Sequence, residues 1–213
     1  MIVSASILSA DFLNLERDIR LLEEKGTEFI HIDIMDGRFV TNITWGPATV
    51  KAIRKITELP IEVHLMIAEP ERSIKNYLDS EADFFVIHPE STQFLRKTLL
   101  EIKNAGKKAG IALKLETPVD TIRHCLDVVD LVLFVTCDEG FGGQSFHPLS
   151  LEKIAEVAKW RKEYKLNFQI EVDGGINSET AAQCKAAGAD IAVSGSFIFR
   201  DDIQEAIERL KSV

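Results

Sequence analysis

Short, almost wholly apolar runs alternate along the chain with longer segments in which apolar residues recur every three or four positions. The first pattern is typical of buried parallel strands, and the second of amphipathic helices. The predicted strands are Ile2–Ile7, Phe29–Asp33, Ile61–Leu65, Phe84–His88, Ala109–Lys114, Leu131–Val135, Gln169–Asp173 and Ile191–Ser194. The predicted helices are Asn14–Glu24, Ala48–Ile56, Glu71–Ser80, Phe94–Asn104, Val119–Val128, Leu149–Tyr164, Glu179–Ala187 and Ile203–Lys211.

A near-repeat accompanies this alternation. Several helical segments end in a small or glycine-containing turn, as at Gly26, Gly106 and Gly188, and a buried strand follows directly. Strand-helix units repeated along residues 1–213, with no linker or low-complexity tract, predict a single TIM (β/α)8 barrel domain. A doubly wound open sheet is the alternative, but its glycine fingerprint would follow the first strand, where the chain has Ser6-Ile7-Leu8-Ser9.

Composition narrows the range of partners. A net charge of −9 and a pI near 5.1 argue against a nucleic-acid partner, although local donors could still bind a small anion. The three cysteines are widely spaced, so we expect neither a disulfide framework nor a thiolate zinc site. The apolar runs are too short to span a membrane and no basic leader precedes them, so we expect a cytoplasmic protein.

Four polar residues stand at the ends of predicted strands. His31 and Asp33 end the second strand, His64 lies near the end of the third, and Asp173 ends the seventh. In a barrel of this type the chemistry lies at the carboxyl ends of the strands. Two imidazoles and two carboxylates that meet there form a plausible ligand set for one divalent metal, and two carboxylates beside a metal indicate proton transfer. Zn2+ suits this ligand mix best, with Fe2+, Mn2+ or Co2+ as alternatives.

Other residues near these strand ends have simpler interpretations. Glu171 shares a face with Asp173 and is predicted one layer deeper, and His88 is predicted to be structural. Met35 and Met66 are interpreted as gap-filling residues that could also form a dry wall beside a substrate.

Glycines cluster in three predicted loops. They follow the sixth, seventh and eighth strands as Gly140-Phe141-Gly142-Gly143, Gly174-Gly175 and Gly195-Ser196. Backbone N–H groups of such loops commonly bind phosphate in this fold, because glycine allows close approach. Each loop alone could be a simple tight turn, but the three together favour a phosphate site.

In their order and spacing, the motifs of this chain resemble those of the ribulose-phosphate 3-epimerase family, across essentially the whole chain. The motifs that carry the resemblance are Ser6-Ile7-Leu8-Ser9-Ala10-Asp11-Phe12, His31-Ile32-Asp33-Ile34-Met35-Asp36-Gly37, Val63-His64-Leu65-Met66, Gly140-Phe141-Gly142-Gly143-Gln144, Glu171-Val172-Asp173-Gly174-Gly175 and Gly195-Ser196.

The resemblance implies a metal-dependent enzyme that interconverts D-ribulose 5-phosphate and D-xylulose 5-phosphate through a 2,3-enediolate. It implies that His31, Asp33, His64 and Asp173 hold one metal per subunit, and that Asp33 and Asp173 are the acid and base on opposite faces of C3. Ser6 and His64 would contact the substrate, and the three glycine loops, Phe141 and Ser196 included, would hold its phosphate. It also implies a homo-oligomer, either a dimer or a hexamer.

Departures from the family pattern are concentrated on the fifth and sixth strands. The family usually has Asn-Pro-x-Thr-Pro where this chain has Lys114-Leu115-Glu116-Thr117-Pro118, Asn-Pro where it has Asp138-Glu139, and methionine where it has Val135. These changes leave open a 3-epimerase of a ketohexose 6-phosphate such as D-allulose 6-phosphate, or a low-activity phosphate-binding paralogue. The related decarboxylases carry Asp-x-Lys-x-x-Asp on the second strand, and Asp33-Ile34-Met35-Asp36 lacks that lysine.

The unusual charges suggest a contact of their own. The ends of the fifth and sixth strands are neighbours in a barrel, so we expect Lys114 to pair with Asp138, or in second place with Glu139. For a solvent-exposed pair the gain in stability would be about 0–1 kcal/mol. The alternative is that all three charges point to water.

Overall fold

The parallel strands close into a barrel in chain order, each paired with the next and the last with the first. The structure is a computed structural model that describes residues 1–200 and 202–213. The strands are β1 (Ile2–Ser6), β2 (Phe29–Met35), β3 (Ile61–Met66), β4 (Phe84–Ile87), β5 (Lys108–Leu113), β6 (Leu131–Val135), β7 (Gln169–Asp173) and β8 (Ile191–Ser194). The predicted TIM (β/α)8 barrel is therefore confirmed.

Helices surround the barrel. Within the described residues they are α1 (Leu15–Glu24), α2 (Pro47–Arg54), α3 (Ile74–Leu78), α4 (Leu95–Asn104), α5 (Ser150–Glu163), α6 (Ser178–Ala187), α7 (Ser196–Arg200) and α8 (Ile203–Lys211). The short α7 follows the Gly195 loop and was not predicted. None of the helices in the described ranges has the length and apolar character needed to cross a bilayer.

Two predicted helices take a different form. The segment predicted as Val119–Val128 is a 3-10 helix over Val119–Cys125, and that predicted as Glu71–Ser80 is a 3-10 turn followed by the five-residue α3. Valine, threonine, isoleucine, histidine and cysteine have low helix propensity, which weakens the first segment. Ser73 interrupts the second, because its φ of −120° lies outside the helical range.

Side-chain alternation on β2 shows how the strands position the mouth of the barrel. Ile30, Ile32 and Ile34 face the helices and are buried in the main core, whereas His31 and Asp33 face the barrel interior. A smaller apolar cluster within the barrel includes Val86, Ala112, Leu131, Leu133 and Ile191. The interior is therefore packed, and buried polar side chains lie next to these apolar ones, as where Glu171 pairs with Leu133 and Ile191.

Two loops meet over one side of the mouth. The segment after β2 folds back through an isolated bridge between Asp36 and Ile43. Asn42 then donates a hydrogen bond from Nδ2 to the Gly140 carbonyl oxygen, at 2.8 Å. This contact joins the loop after β2 to the glycine loop after β6.

Candidate metal centre and active-site cleft

Strand register brings the polar residues of β2 and β3 together. His31 and Asp33 are two residues apart and share one face of β2, and Asp33 is directly opposite His64 on β3. Asp33 Oδ1 lies 3.3 Å from His31 Nε2 and 3.2 Å from His64 Nδ1. Asp173 arrives from β7, with Oδ2 3.9 Å from His31 Nε2. The structure thus brings together all four residues predicted as metal ligands.

This cluster can hold a divalent cation. Each of the four residues offers one ligand atom, and these atoms all lie within 4.8 Å of one another. Asp33 and both imidazoles are buried, so the carboxylate needs compensating positive charge. Imidazole nitrogen and carboxylate oxygen are good ligands for zinc and for the neighbouring divalent transition metals. The residues present therefore fit the predicted metal.

The two carboxylates lie in different electrostatic environments. Burial disfavours the Asp33 carboxylate, but the charge of His31 and the close contacts with both imidazoles outweigh burial and hold its pKa well below the usual range. Burial, reinforced by the Asp33 charge, raises the pKa of Asp173 to about 6. Such a divergence is typical of paired acid and base groups.

Asp33 is also held on its other oxygen. Ser6 ends β1 and donates from Oγ to Asp33 Oδ2 at 2.7 Å. The residue predicted to contact substrate therefore also fixes the orientation of the Asp33 carboxylate.

A second buried acidic layer lies beneath the cluster. His31 Nδ1 is 3.3 Å from Glu62 Oε1, and Glu62 and Glu171 are completely buried. Burial and the charge of Glu62 raise the pKa of Glu171 well above its usual value. Glu171 was expected in this layer, but Glu62 was missed. Its position two residues before His64 on β3 was the signal that could have revealed it.

His88, which was predicted to be structural, lies next to His64 on the neighbouring strand side of the barrel. His64 Nε2 and His88 Nε2 are 2.7 Å apart, and both rings are buried. On its far side His88 Nδ1 lies 3.4 Å from Glu90 Oε2. His88 is therefore in direct contact with a candidate metal ligand.

The cluster opens into a cleft at the mouth of the barrel, where the unfilled space, open solvent included, is about 570 Å³. Met35, Met66 and Val135 line it together with the predicted glycine loops. The predicted cleft residues found in the lining are Ser6, Asp33, His64, Gly140, Phe141, Gly142, Gly143, Asp173, Gly174, Gly175, Gly195 and Ser196. The described residues that line the cleft include no lysine or arginine. An anion there would therefore depend on backbone N–H groups and on uncharged side-chain donors such as Ser9, Gln144 and Ser196.

Glycine is required at Gly174 and Gly175. Their φ values are 115° and 65°, in the left-handed region that other residues rarely adopt. A Cβ on Gly175 would lie 2.3 Å from the Phe146 backbone nitrogen, and one on Gly174 would lie 2.4 Å from Cys137 Sγ. These two positions in the loop after β7 are therefore packed too closely for any side chain.

Lys114 pairs with Glu139, not with Asp138. Lys114 Nζ lies 2.7 Å from Glu139 Oε2, and only 24% of the lysine side chain and 7% of the glutamate side chain are exposed. The lysine follows β5 directly, and the path of the loop after β6 turns Glu139 inward towards it. Lys114 Nζ also lies 3.8 Å from the centre of the Phe39 ring. The partner expected first, Asp138, was therefore wrong, the partner expected second, Glu139, is confirmed, and the energy given for an exposed pair does not apply to this largely buried one.

A closed parallel barrel with imidazoles, carboxylates and glycine loops converging at its mouth defines a barrel enzyme with a candidate metal centre. The ribulose-phosphate 3 epimerase family model matches residues 2–199. The chain belongs to the ribulose-phosphate 3-epimerase family and is an enzyme of that family.

Curated relatives agree with this assignment. The chain is 46% identical to the ribulose-phosphate 3-epimerase of Bacillus subtilis, an alignment covering 98% of this chain and 97% of the relative. It is 45% identical to the chloroplastic ribulose-5-phosphate-3-epimerase of Arabidopsis thaliana, covering 100% and 76%. Among solved structures, KGPDC from Streptococcus mutans shares the fold, with a TM-score of 0.72 at 15% identity, covering 99% of this chain and 95% of that one.

Proposed function

We propose that this enzyme inverts C3 of a ketose phosphate and interconverts D-ribulose 5-phosphate and D-xylulose 5-phosphate. The observation that supports this proposal is that Asp33 and Asp173 lie in the same group of candidate ligands, although they come from β2 and β7, which are three strands apart around the barrel. Inversion next to a carbonyl needs proton-transfer groups on both faces of the carbon. The curated relatives named as ribulose-phosphate 3-epimerases support pentulose phosphate as the substrate.

In this proposal the two carboxylates divide the work. One aspartate takes the proton from C3, and the other returns a proton to the opposite face. Burial and the Asp33 charge raise the pKa of Asp173 to about 6, while the pKa of Asp33 lies well below its usual range, so the two carboxylates differ in how readily they hold a proton. Ser6 keeps Asp33 Oδ2 oriented through the 2.7 Å hydrogen bond, so the carboxylate stays fixed while the proton moves.

His31, Asp33, His64 and Asp173 would hold one divalent metal per subunit, most suitably Zn2+, with Fe2+, Mn2+ or Co2+ as alternatives. When bound, such an ion supplies Lewis-acid stabilisation of the negative charge that develops on substrate oxygens. The buried methionines Met35 and Met66 exclude water from the same space.

The glycine loops would hold the phosphate. The cleft offers backbone N–H groups in place of basic side chains, and the packing at Gly174 and Gly175 fixes their position. A phosphate anchored there would place the reacting carbon over the two aspartates, so that binding energy far from C3 is used for positioning.

Solvent exchange tests the proposal directly. Metal-loaded protein is incubated in D2O with D-ribulose 5-phosphate or D-allulose 6-phosphate, and deuterium at C3 is followed by NMR. We expect exchange and formation of D-xylulose 5-phosphate with the pentulose phosphate. Faster exchange with the hexulose phosphate would reassign the substrate, and no exchange with either would refute epimerase function.

A further inference from the structure

Two carboxylates determine where the proton on His88 lies. His88 Nδ1 faces Glu90 Oε2 at 3.4 Å and Glu139 Oε1 at 4.0 Å. Both oxygens are acceptors, so a lone pair on Nδ1 would meet only negative charge. The favourable arrangement of the neutral ring therefore carries hydrogen on Nδ1 and a lone pair on Nε2.

That arrangement fixes the next ring in turn. His88 Nε2 lies 2.7 Å from His64 Nε2, and a contact this short between two nitrogens requires one donor and one acceptor. Because His88 Nε2 is the acceptor, His64 Nε2 must carry the hydrogen. His64 Nδ1 is then left with its lone pair beside Asp33 Oδ1, at 3.2 Å, an arrangement that is favourable when both groups hold a cation.

We infer that His88 is a positioning residue that holds His64 in the tautomer able to bind a metal through Nδ1. The inference rests on the proposed metal-dependent function, because it concerns the same ligand set. A metal-binding histidine commonly donates its second N–H to a fixed acceptor, which sets the ring's orientation and basicity. Here the acceptor is another imidazole, itself oriented by the Glu90 carboxylate.

Lys114 and Phe39 complete this arrangement on the outer side. Lys114 binds Glu139 through Oε2, which leaves Oε1 of that carboxylate as the oxygen that lies 4.0 Å from His88 Nδ1. Phe39 packs against the His88 ring, with their centres 4.8 Å apart, and also lies under the Lys114 ammonium.

Long-range 1H–15N spectra of zinc-loaded protein with labelled histidines test the tautomers. We expect a protonated Nδ1 and an unprotonated Nε2 on His88, with the opposite pattern on His64. Protonation of His88 on Nε2, or on both nitrogens, would overturn the inference.

Metal affinity provides the second readout. His88→Leu removes the acceptor and is expected to raise the zinc dissociation constant about 10- to 100-fold. His88→Gln keeps a carbonyl acceptor and is expected to recover most of that loss. His124→Gln, at an exposed histidine, is the control and should leave zinc affinity unchanged.

These results separate the inference from the proposed function. Equal zinc affinity in the leucine, glutamine and wild-type proteins would overturn the role of His88, even if epimerisation is observed. Conversely, the spectra and zinc affinities could follow expectation while no exchange occurs at C3, and then only the proposed function would fail. If the leucine variant does not fold, the spectra of wild-type protein still decide the inference.

Discussion

Lys114→Met is expected to lower the free energy of unfolding by about 2–4 kcal/mol at pH 7, because it strands a nearly buried carboxylate. Glu139 is 7% exposed, and the Lys114 ammonium at 2.7 Å is its closest positive group among the ion pairs of the described residues. Methionine resembles the apolar part of the lysine side chain, so the decrease in the free energy of unfolding mainly measures the loss of the lysine charge.

Glu139→Gln should cost less, about 1–2 kcal/mol, since the lysine is 24% exposed and keeps the Phe39 ring. The double variant leaves no unpaired charge, so its loss should be smaller than the sum of the single losses. We expect a coupling energy of about 1–3 kcal/mol, the range for residues in direct contact.

Urea unfolding of the four proteins at one fixed zinc concentration gives the cycle, provided that the m-values agree. The exposed pair of Arg20 and Glu16 on α1 is a matched control, with an expected coupling of about 0.3–0.5 kcal/mol. Burial raises the pKa of Glu139, despite the opposing effect of Lys114, so the coupling should fall as the pH drops through that raised value. Additivity of the two changes within about 0.5 kcal/mol would refute the reasoning.

Asp33→Asn and Asp173→Asn should each lower epimerisation about 10²- to 10⁴-fold, measured by turnover and by deuterium entry at C3; wild-type turnover in either variant would contradict the two-base assignment. Metal analysis should find one ion per subunit, and complete chelation should abolish turnover; undiminished turnover after chelation would exclude a catalytic metal. D-ribulose should show a kcat/KM lower than that of its 5-phosphate by on the order of 10²-fold or more, whereas equal values would argue against a phosphate site. In metal-free protein the Asp173 carboxyl should contribute stability that grows as the pH falls from about 6 to about 4, because folding raises its pKa from 3.8 to about 6 and the folded state takes up a proton first. Burial lowers the pKa of His88 from 6.5 to about 4, which acts in the opposite direction over the same range, so the Asp173 contribution is measured in urea titrations as the difference between wild-type and Asp173→Asn protein.

Strand periodicity explains why so much of this arrangement was predictable. A spacing of two residues on a strand places His31 and Asp33 on one face, whatever surrounds them. The same rule places Glu62 on the same face of β3 as His64, which lies two residues further on, and so identifies Glu62 as an inward-facing residue. The barrel followed from the repeated unit, since eight parallel strands with intervening helices close in only a few ways.

Contacts that depend on side-chain torsions or on loop paths could not be predicted in this way. The 2.7 Å contact of His64 with His88 depends on the rotamers of two rings on neighbouring strands. The partner of Lys114 depends on how the loop after β6 turns, and sequence spacing does not distinguish Asp138 from Glu139. The form of the Val119–Cys125 segment likewise reflects tertiary packing combined with weak helix propensity.

The position of two candidate ligands on β2 has a consequence for how the barrel assembles. Ser6 pairs with His31 across β1 and β2, and Asp33 pairs with His64 across β2 and β3. Slipping β2 by one residue would turn both polar side chains outward and present isoleucines to the mouth. An ion bound by residues of β2 and β3 would stabilise only the barrel in which these two strands are in the correct register. Metal binding would then favour the correct register during folding, because chains in which β2 is displaced would lack the stabilisation that the ion confers.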